Sequence, residues 1–155
     1  MTALMVSYVG GVPKNNLYLI GIIDEKLSLA ADFASTVNSI KEKEKKTSLE
    51  DAFDIVFEAV GGRSHRITIK EMIEMARPGG RCIILGLSQG EVPVEMNKIV
   101  NKSLTFRGSV RSRMEHYIKV LELLKKEEFR EKVKRIISKE KFTVRSAEDL
   151  ESAFR

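Results

Sequence analysis

At 155 residues the chain is long enough to bury a sizeable core as one domain. With 43 % hydrophobic and 32 % charged residues it has an ordinary globular composition, which excludes a disordered or fibrous chain, and no apolar run reaches the roughly 18 residues of a membrane span. Its single cysteine, Cys82, excludes an internal disulfide and a cysteine-built zinc site, and a net charge of +5 with no accompanying nucleic-acid motif disfavours nucleic acid as a partner.

No basic-then-apolar leader opens the sequence, so the expected compartment is the cytoplasm. Residues 2–9 (TALMVSYV) read as a mostly buried helix, stopped by Gly10-Gly11 and Pro13. Residues 17–23 (LYLIGII) read as a buried strand, and Asp24 follows directly. Residues 25–34 read as a helix with Leu27, Ala30, Ala31 and Ala34 on one stripe. Residues 36–38 form a short strand, and the apolar-free run 41–46 (KEKEKK) is a solvated loop or helix end.

Residues 53–60 (FDIVFEAV) form the next buried strand, ended by Gly61-Gly62. A helix over 64–77 follows, with Ile69, Met72, Ile73 and Ala76 on its buried stripe. His65 beside its start reads as an exposed or capping-region residue rather than a base. Pro78-Gly79-Gly80 breaks the helix, and a strand runs over 82–87 (CIILGL), with Cys82 a buried core thiol. Strand, helix, strand in about 35 residues is a βαβ unit with a right-handed crossover. The nearly continuous apolar runs are those of parallel strands covered on both faces.

Beyond a loop at 88–93, a short helix is expected at 96–100 and a strand at 103–108. From residue 113 a helix carries Met114, Tyr117, Ile118, Leu121 and Leu124 at helical spacing, and His116 is a solvated helix histidine. A second short helix holds Phe129, Val133 and Ile136-Ile137. Residues 141–145 are extended, and Ser146 caps a last helix with Glu148 and Asp149 in its first turn.

Three segments in order, DIVFEAVGG, ARPGGRCIILGL and LTFRGSV, resemble the nucleotide-binding domain of the medium-chain dehydrogenase family, best known from the zinc-type alcohol and polyol dehydrogenases. The resemblance implies an α/β fold: a Rossmann-like parallel sheet with helices on both faces, in a single dinucleotide-binding domain. It implies NAD as cofactor, with NADP the second choice. Such folds open on a strand and a glycine-rich turn at the pyrophosphate. No G-x-G-x-x-G occurs here, and MTALMVSYVGG resembles the helix that follows that turn. The expectation is therefore a domain without its first strand and cut at both ends. The family's zinc lies on a separate, mainly β domain, so no zinc ligand, no catalytic residue and no independent activity are expected in this chain.

By the same resemblance Asp24, ending the family's second strand, is the ribose-binding acid. A carboxylate there favours NAD over NADP. Lys26 nearby would instead attract a phosphate, and a helix N-cap is the competing reading of Asp24. Ala59, Val60 and Gly61 end a strand on the adenosine side. Leu85, Gly86 and Leu87, with Gly108, Ser109 and Val110, end strands on the nicotinamide side. Core strand ends and turn glycines are the competing reading of these positions. Arg111 resembles a position that approaches cofactor or substrate. A missing first strand leaves a gap between the family's second and fourth strands, to be filled by rearrangement, by a second copy or by a complementing chain. The expected partner is accordingly a homo-oligomer mate or a chain carrying the missing half. The alternative function is a non-catalytic, oligomeric binding or assembly module.

Overall fold

The structure, a computed structural model, describes residues 1–137 and 143–153. These fall into two compact units, Thr2–Met114 and a second from Glu115 onward.

The first unit opens with α1 (Thr2–Tyr8), in which Leu4 alone is fully buried. A single 3-10 turn, Lys14–Asn16, leads to β1 (Tyr18–Gly21). Then come α2 (Asp24–Ser28), β2 (Ser35–Asn38), α3 (Lys43–Thr47), β3 (Phe53–Glu58), α4 (His65–Met75), β4 (Ala76–Ile84), α5 (Met96–Asn101) and β5 (Thr105–Gly108). All pairings are parallel, and the strands form two sheets, β1-β2 and β3-β4-β5. Parallel strands joined through helices are the Rossmann-like architecture that the apolar runs announced.

The helix expected over 25–34 is only α2, which gives way to turns before Ser35. Leu27, Ala30 and Ala34 of its stripe are buried, Ala31 is exposed, and Phe33 joins the buried set. The strand expected over 17–23 stops at Gly21, leaving Ile22 and Ile23 exposed. Nor is β3 buried on both faces: Ile55 is 44 % and Phe57 39 % exposed.

The core of the larger sheet follows the expected stripe. Ile69, Met72 and Ile73 of α4 pack with Ala76 and Cys82 of β4, and Val56, Ile84, Leu104 and Phe106 close around them. The fully buried Ile69, Met72 and Ile73 side chains each contribute about 1.5–3 kcal/mol through burial. α4 ends at Met75, before Pro78-Gly79-Gly80, but the next strand starts at Ala76 rather than Cys82 and carries those three residues as a bulge inside β4. Phe53 pairs with Ala76 and Ile55 with Arg81, so two steps along β3 face five along β4. Gly79 takes φ +75° and donates its N–H to the Lys102 carbonyl at 2.7 Å. Lys102 Nζ in turn donates to the carbonyls of Ile73, Glu74 and Ala76 at 2.8–3.2 Å, satisfying the last turn of α4, and pairs with Asp51 at 2.6 Å.

The second unit is helical: α6 (Met114–Leu124, starting at the unit boundary), α7 (Glu127–Ile136) and α8 (Ala147–Ala153). Phe129 is buried, whereas Met114, Tyr117, Ile118 and Leu121 of α6 are exposed. Ser146 caps α8 as expected. Its hydroxyl accepts the Asp149 N–H at 3.2 Å, and the Asp149 carboxylate accepts the N–H groups of Arg145 and Ser146. The segment expected to be extended, 141–145, lies partly outside the described residues.

Candidate functional site

The chemistry-bearing positions gather at the carboxyl ends of the strands, where open α/β sheets hold their ligands. In the larger sheet they form a lip built around one side chain, Glu58, the last residue of β3 and 3 % exposed. Its Oε1 accepts the N–H of Val60 at 2.9 Å, the N–H of Gly61 at 3.0 Å and the hydroxyl of Thr68 at 2.8 Å. Its backbone carbonyl accepts the N–H groups of Leu85 and Gly86 at 2.8 and 3.2 Å. The Gly62 N–H continues the zip to the Leu87 carbonyl at 2.7 Å, and the Ser109 N–H reaches the Ile84 carbonyl at 2.9 Å.

Two glycines are required by this closeness. A Cβ on Gly86 would lie 2.4 Å from Glu58 Oε2 and 2.5 Å from the Gly61 nitrogen. A Cβ on Gly61, already at φ +65°, would lie 2.8 Å from the Leu87 carbonyl oxygen. The lip displays three apolar side chains to solvent, one per strand end: Val60, 65 % exposed, Leu87, 75 %, and Val110, 71 %.

Beside Glu58 stands His65, the first residue of α4. It is buried, not exposed as its sequence position suggests. Its Nε2 lies 3.1 Å from Glu58 Oε2, at ion-pair distance but out of line for a hydrogen bond, and neither ring nitrogen has a hydrogen-bond partner. His65 also lines an open, largely apolar cavity of about 500 Å³ with Ile69, Ile84, Ile99 and Phe106. Burial alone would push the Glu58 carboxyl up. The Gly61 amide, the Thr68 hydroxyl, the Val60 amide and His65 outweigh burial and hold it below its ordinary value.

Asp24 sits at the end of the other sheet, just past β1. It is the first residue of α2 and caps nothing; the N-cap position is Ile23, without a side-chain bond. Its Oδ1 accepts the Asn38 Nδ2–H at 2.5 Å, and its Oδ2 pairs with Lys41. These two partners, Lys41 first, hold its carboxyl below the usual range. Asn38, buried at the end of β2, ties the strand ends together. Its Nδ2 also donates to the Ile22 carbonyl, and its Oδ1 accepts the N–H groups of Ile40 and Lys41. The structure thus brings 59–61, 85–87 and Ser109 together on one sheet and places Asp24 on the other. Arg111 lies beyond β5, exposed, in the left-handed backbone region at φ +66°. That region is rare for a residue with a Cβ.

Residues 3–126 match the family profile described as zinc-binding dehydrogenase. The chain belongs to the zinc-binding dehydrogenase family. Ribulose-5-phosphate reductase 2 of Staphylococcus aureus is 34 % identical to this dehydrogenase-family chain over 118 residues, 74 % of this chain and 32 % of that protein. The L-threonine 3-dehydrogenase of Streptomyces coelicolor is 27 % identical over 114 residues, 70 % of this chain and 32 % of that protein. Among solved structures, S. aureus TarJ in complex with NADPH is similar at a TM-score of 0.81 and 28 % identity, over 99 % of this chain and 46 % of that one. The chain therefore spans about a third of the curated dehydrogenases and reductases it matches.

The family's metal does not fit the residues present: among the described residues no group of three or more His, Cys, Asp or Glu side chains could hold an ion. The lip presents exposed apolar side chains, and the pair Asp24–Lys41 presents both an acceptor and a positive charge. Sequence reading missed Glu58, Thr68, His65, Asn38 and Lys41. The one signal available was an acidic residue closing an apolar strand, since a buried carboxylate has to collect donors.

Proposed function

We propose that this chain is the dinucleotide-binding part of an NAD(P)-dependent oxidoreductase that interconverts an alcohol or polyol and its carbonyl form. The observation that carries the reading is the lip of Val60, Leu87 and Val110, exposed apolar side chains at three adjacent parallel strand ends, the first two of which approach through glycine-only contacts at Gly61 and Gly86. When bound, the nicotinamide cofactor supplies the hydride acceptor or donor. The chain's own part is to bind and orient it: the lip contacts the ring systems, Asp24 accepts ribose hydroxyls, and Lys41 offers charge to a 2′-phosphate. Because Lys41 already neutralises Asp24, the acid does not repel such a phosphate as a bare carboxylate would, and both NAD and NADP are accepted. The names of the relatives, ribulose-5-phosphate reductase and threonine dehydrogenase, support a small polar hydroxylated substrate. The groups that bind and activate that substrate are assigned to polypeptide outside these residues.

Calorimetric titration with NADH and NADPH tests the reading. Saturable binding is expected, with Lys41→Ala weakening NADPH more than NADH. Absence of binding at millimolar cofactor would sink it. A second reading, an assembly module, is favoured by the edges of β1 and β3 that the two-sheet arrangement leaves unpaired among the described residues, and by the exposed face of α6. On that reading the partner is a second copy or a complementing chain. Light scattering of a cofactor-free, non-binding oligomer would move the conclusion to it.

A further inference from the structure

Glu58 is an expensive residue for the place it occupies. An apolar side chain would end β3 without removing a charge from water. The bonds of the carboxylate do not run into the core. They run to the two amides of the Val60–Gly61 turn and to Thr68 at the start of α4. That turn carries two consecutive glycines in the left-handed region, Gly61 at φ +65° and Gly62 at φ +60°, so it has little stiffness of its own. Gly86, with no side chain, leaves the space into which Oε2 fits, and His65 stands 3.1 Å away as the basic neighbour of that oxygen.

We propose that Glu58 is the positioning residue of the lip: its buried carboxylate fixes the Val60–Gly61 turn in the pose that displays Val60 to the ligand, with His65 as its neighbour and Gly86 as its clearance. The inference rests on the reading of the lip as the cofactor site. It adds a residue that touches no cofactor and yet sets how well one binds.

The test uses the full chain and three variants. Glu58→Gln keeps an oxygen for both amides, Glu58→Leu fills the space without an acceptor, and Thr68→Val removes one bond while leaving the amides held. Titration with NADH and NADPH should leave the Gln and Val variants within about threefold of wild type and weaken the Leu variant by about tenfold or more, as for lost bonds to a charged acceptor. The Leu variant leaves the two amides and the Thr68 hydroxyl without this acceptor and should melt lower, so the readout that a merely structural role would not move is the rescue of cofactor affinity by the conservative Glu58→Gln. A folded Leu variant that binds as tightly as wild type overturns the proposal. Should the Leu variant not fold, amide exchange on the wild-type chain decides. Val60 and Gly61 amides protected relative to Arg63 and Ser64 uphold the anchoring, and unprotected ones overturn it. Wild-type chain that binds neither cofactor yet protects both amides overturns the cofactor reading alone.

Discussion

Single side chains set the lip, and they set it through contact distances short enough to make substitutions legible. Gly86→Ala drives a methyl into Glu58 Oε2 and the Gly61 nitrogen. It should cost about 1–3 kcal/mol of stability, as overpacking does, measured by urea unfolding. Glu58→Ala in the same chain removes one of the two clashes, so the double variant should lose less than the sum of the singles. The ionisation of Glu58 gives a pH dependence of known sign. Its folded value lies below the ordinary 4.5, so its stabilisation is complete above that pH and is lost as pH falls through the folded value. Unfolding curves taken between about pH 3 and pH 6 should show this loss in wild type and a flatter profile in Glu58→Gln. Cys82 gives the opposite case: burial pushes its thiol up to about 11. Because the thiolate is the reactive form, a thiol reagent at about pH 8 should label it only after denaturant is added.

Among the elements, α4 and β4 depend on a residue neither contains. Lys102 holds three carbonyls at their junction and lies beside the Gly79 bond that shapes the bulge. Lys102→Met should cost about 1–3 kcal/mol, read as a lower melting temperature, because it strands partly buried acceptors. The same junction shows what the sequence conveys and what it withholds. The stripe Ile69, Met72, Ile73, Ala76 and the Ser146 cap were legible because each depends on neighbours within a few residues. The passage of β4 through Pro78-Gly79-Gly80 was not, since a distant lysine segment holds it in register. Periodicity reports which side chains are fit for burial, not whether anything covers them, and so Ile55 and Phe57 read as core and are half exposed. Asp24 pairs with Lys41 seventeen residues along the chain, and the buried His65 stands beside Glu58 from another element. The strand ends at 59–61 and 85–87 were legible because glycines mark them, but the carboxylate that joins them carries no local signature.

Over the whole molecule, the chain reads as a family domain with its parallel strands in two hydrogen-bonded groups and its last helices in a unit of their own. Arg111 and Arg113 lie in exposed chain just before α6, at the boundary between the units. Limited trypsin digestion should therefore cut there first and leave a resistant fragment ending near residue 113, identified by mass. The division of the strands has a thermodynamic consequence. Asp24 belongs to the β1-β2 group and Val60 to the β3-β4-β5 group, and among the described residues no strand pairing joins the two groups edge to edge. A molecule long enough to touch both acts as a strap between them, and the stiffness it lends to one is felt by the other. The two groups lie in one compact unit and also meet through the Tyr18 and Phe53 rings, whose centroids are 5.2 Å apart, so saturating the site should raise the exchange protection of both groups together.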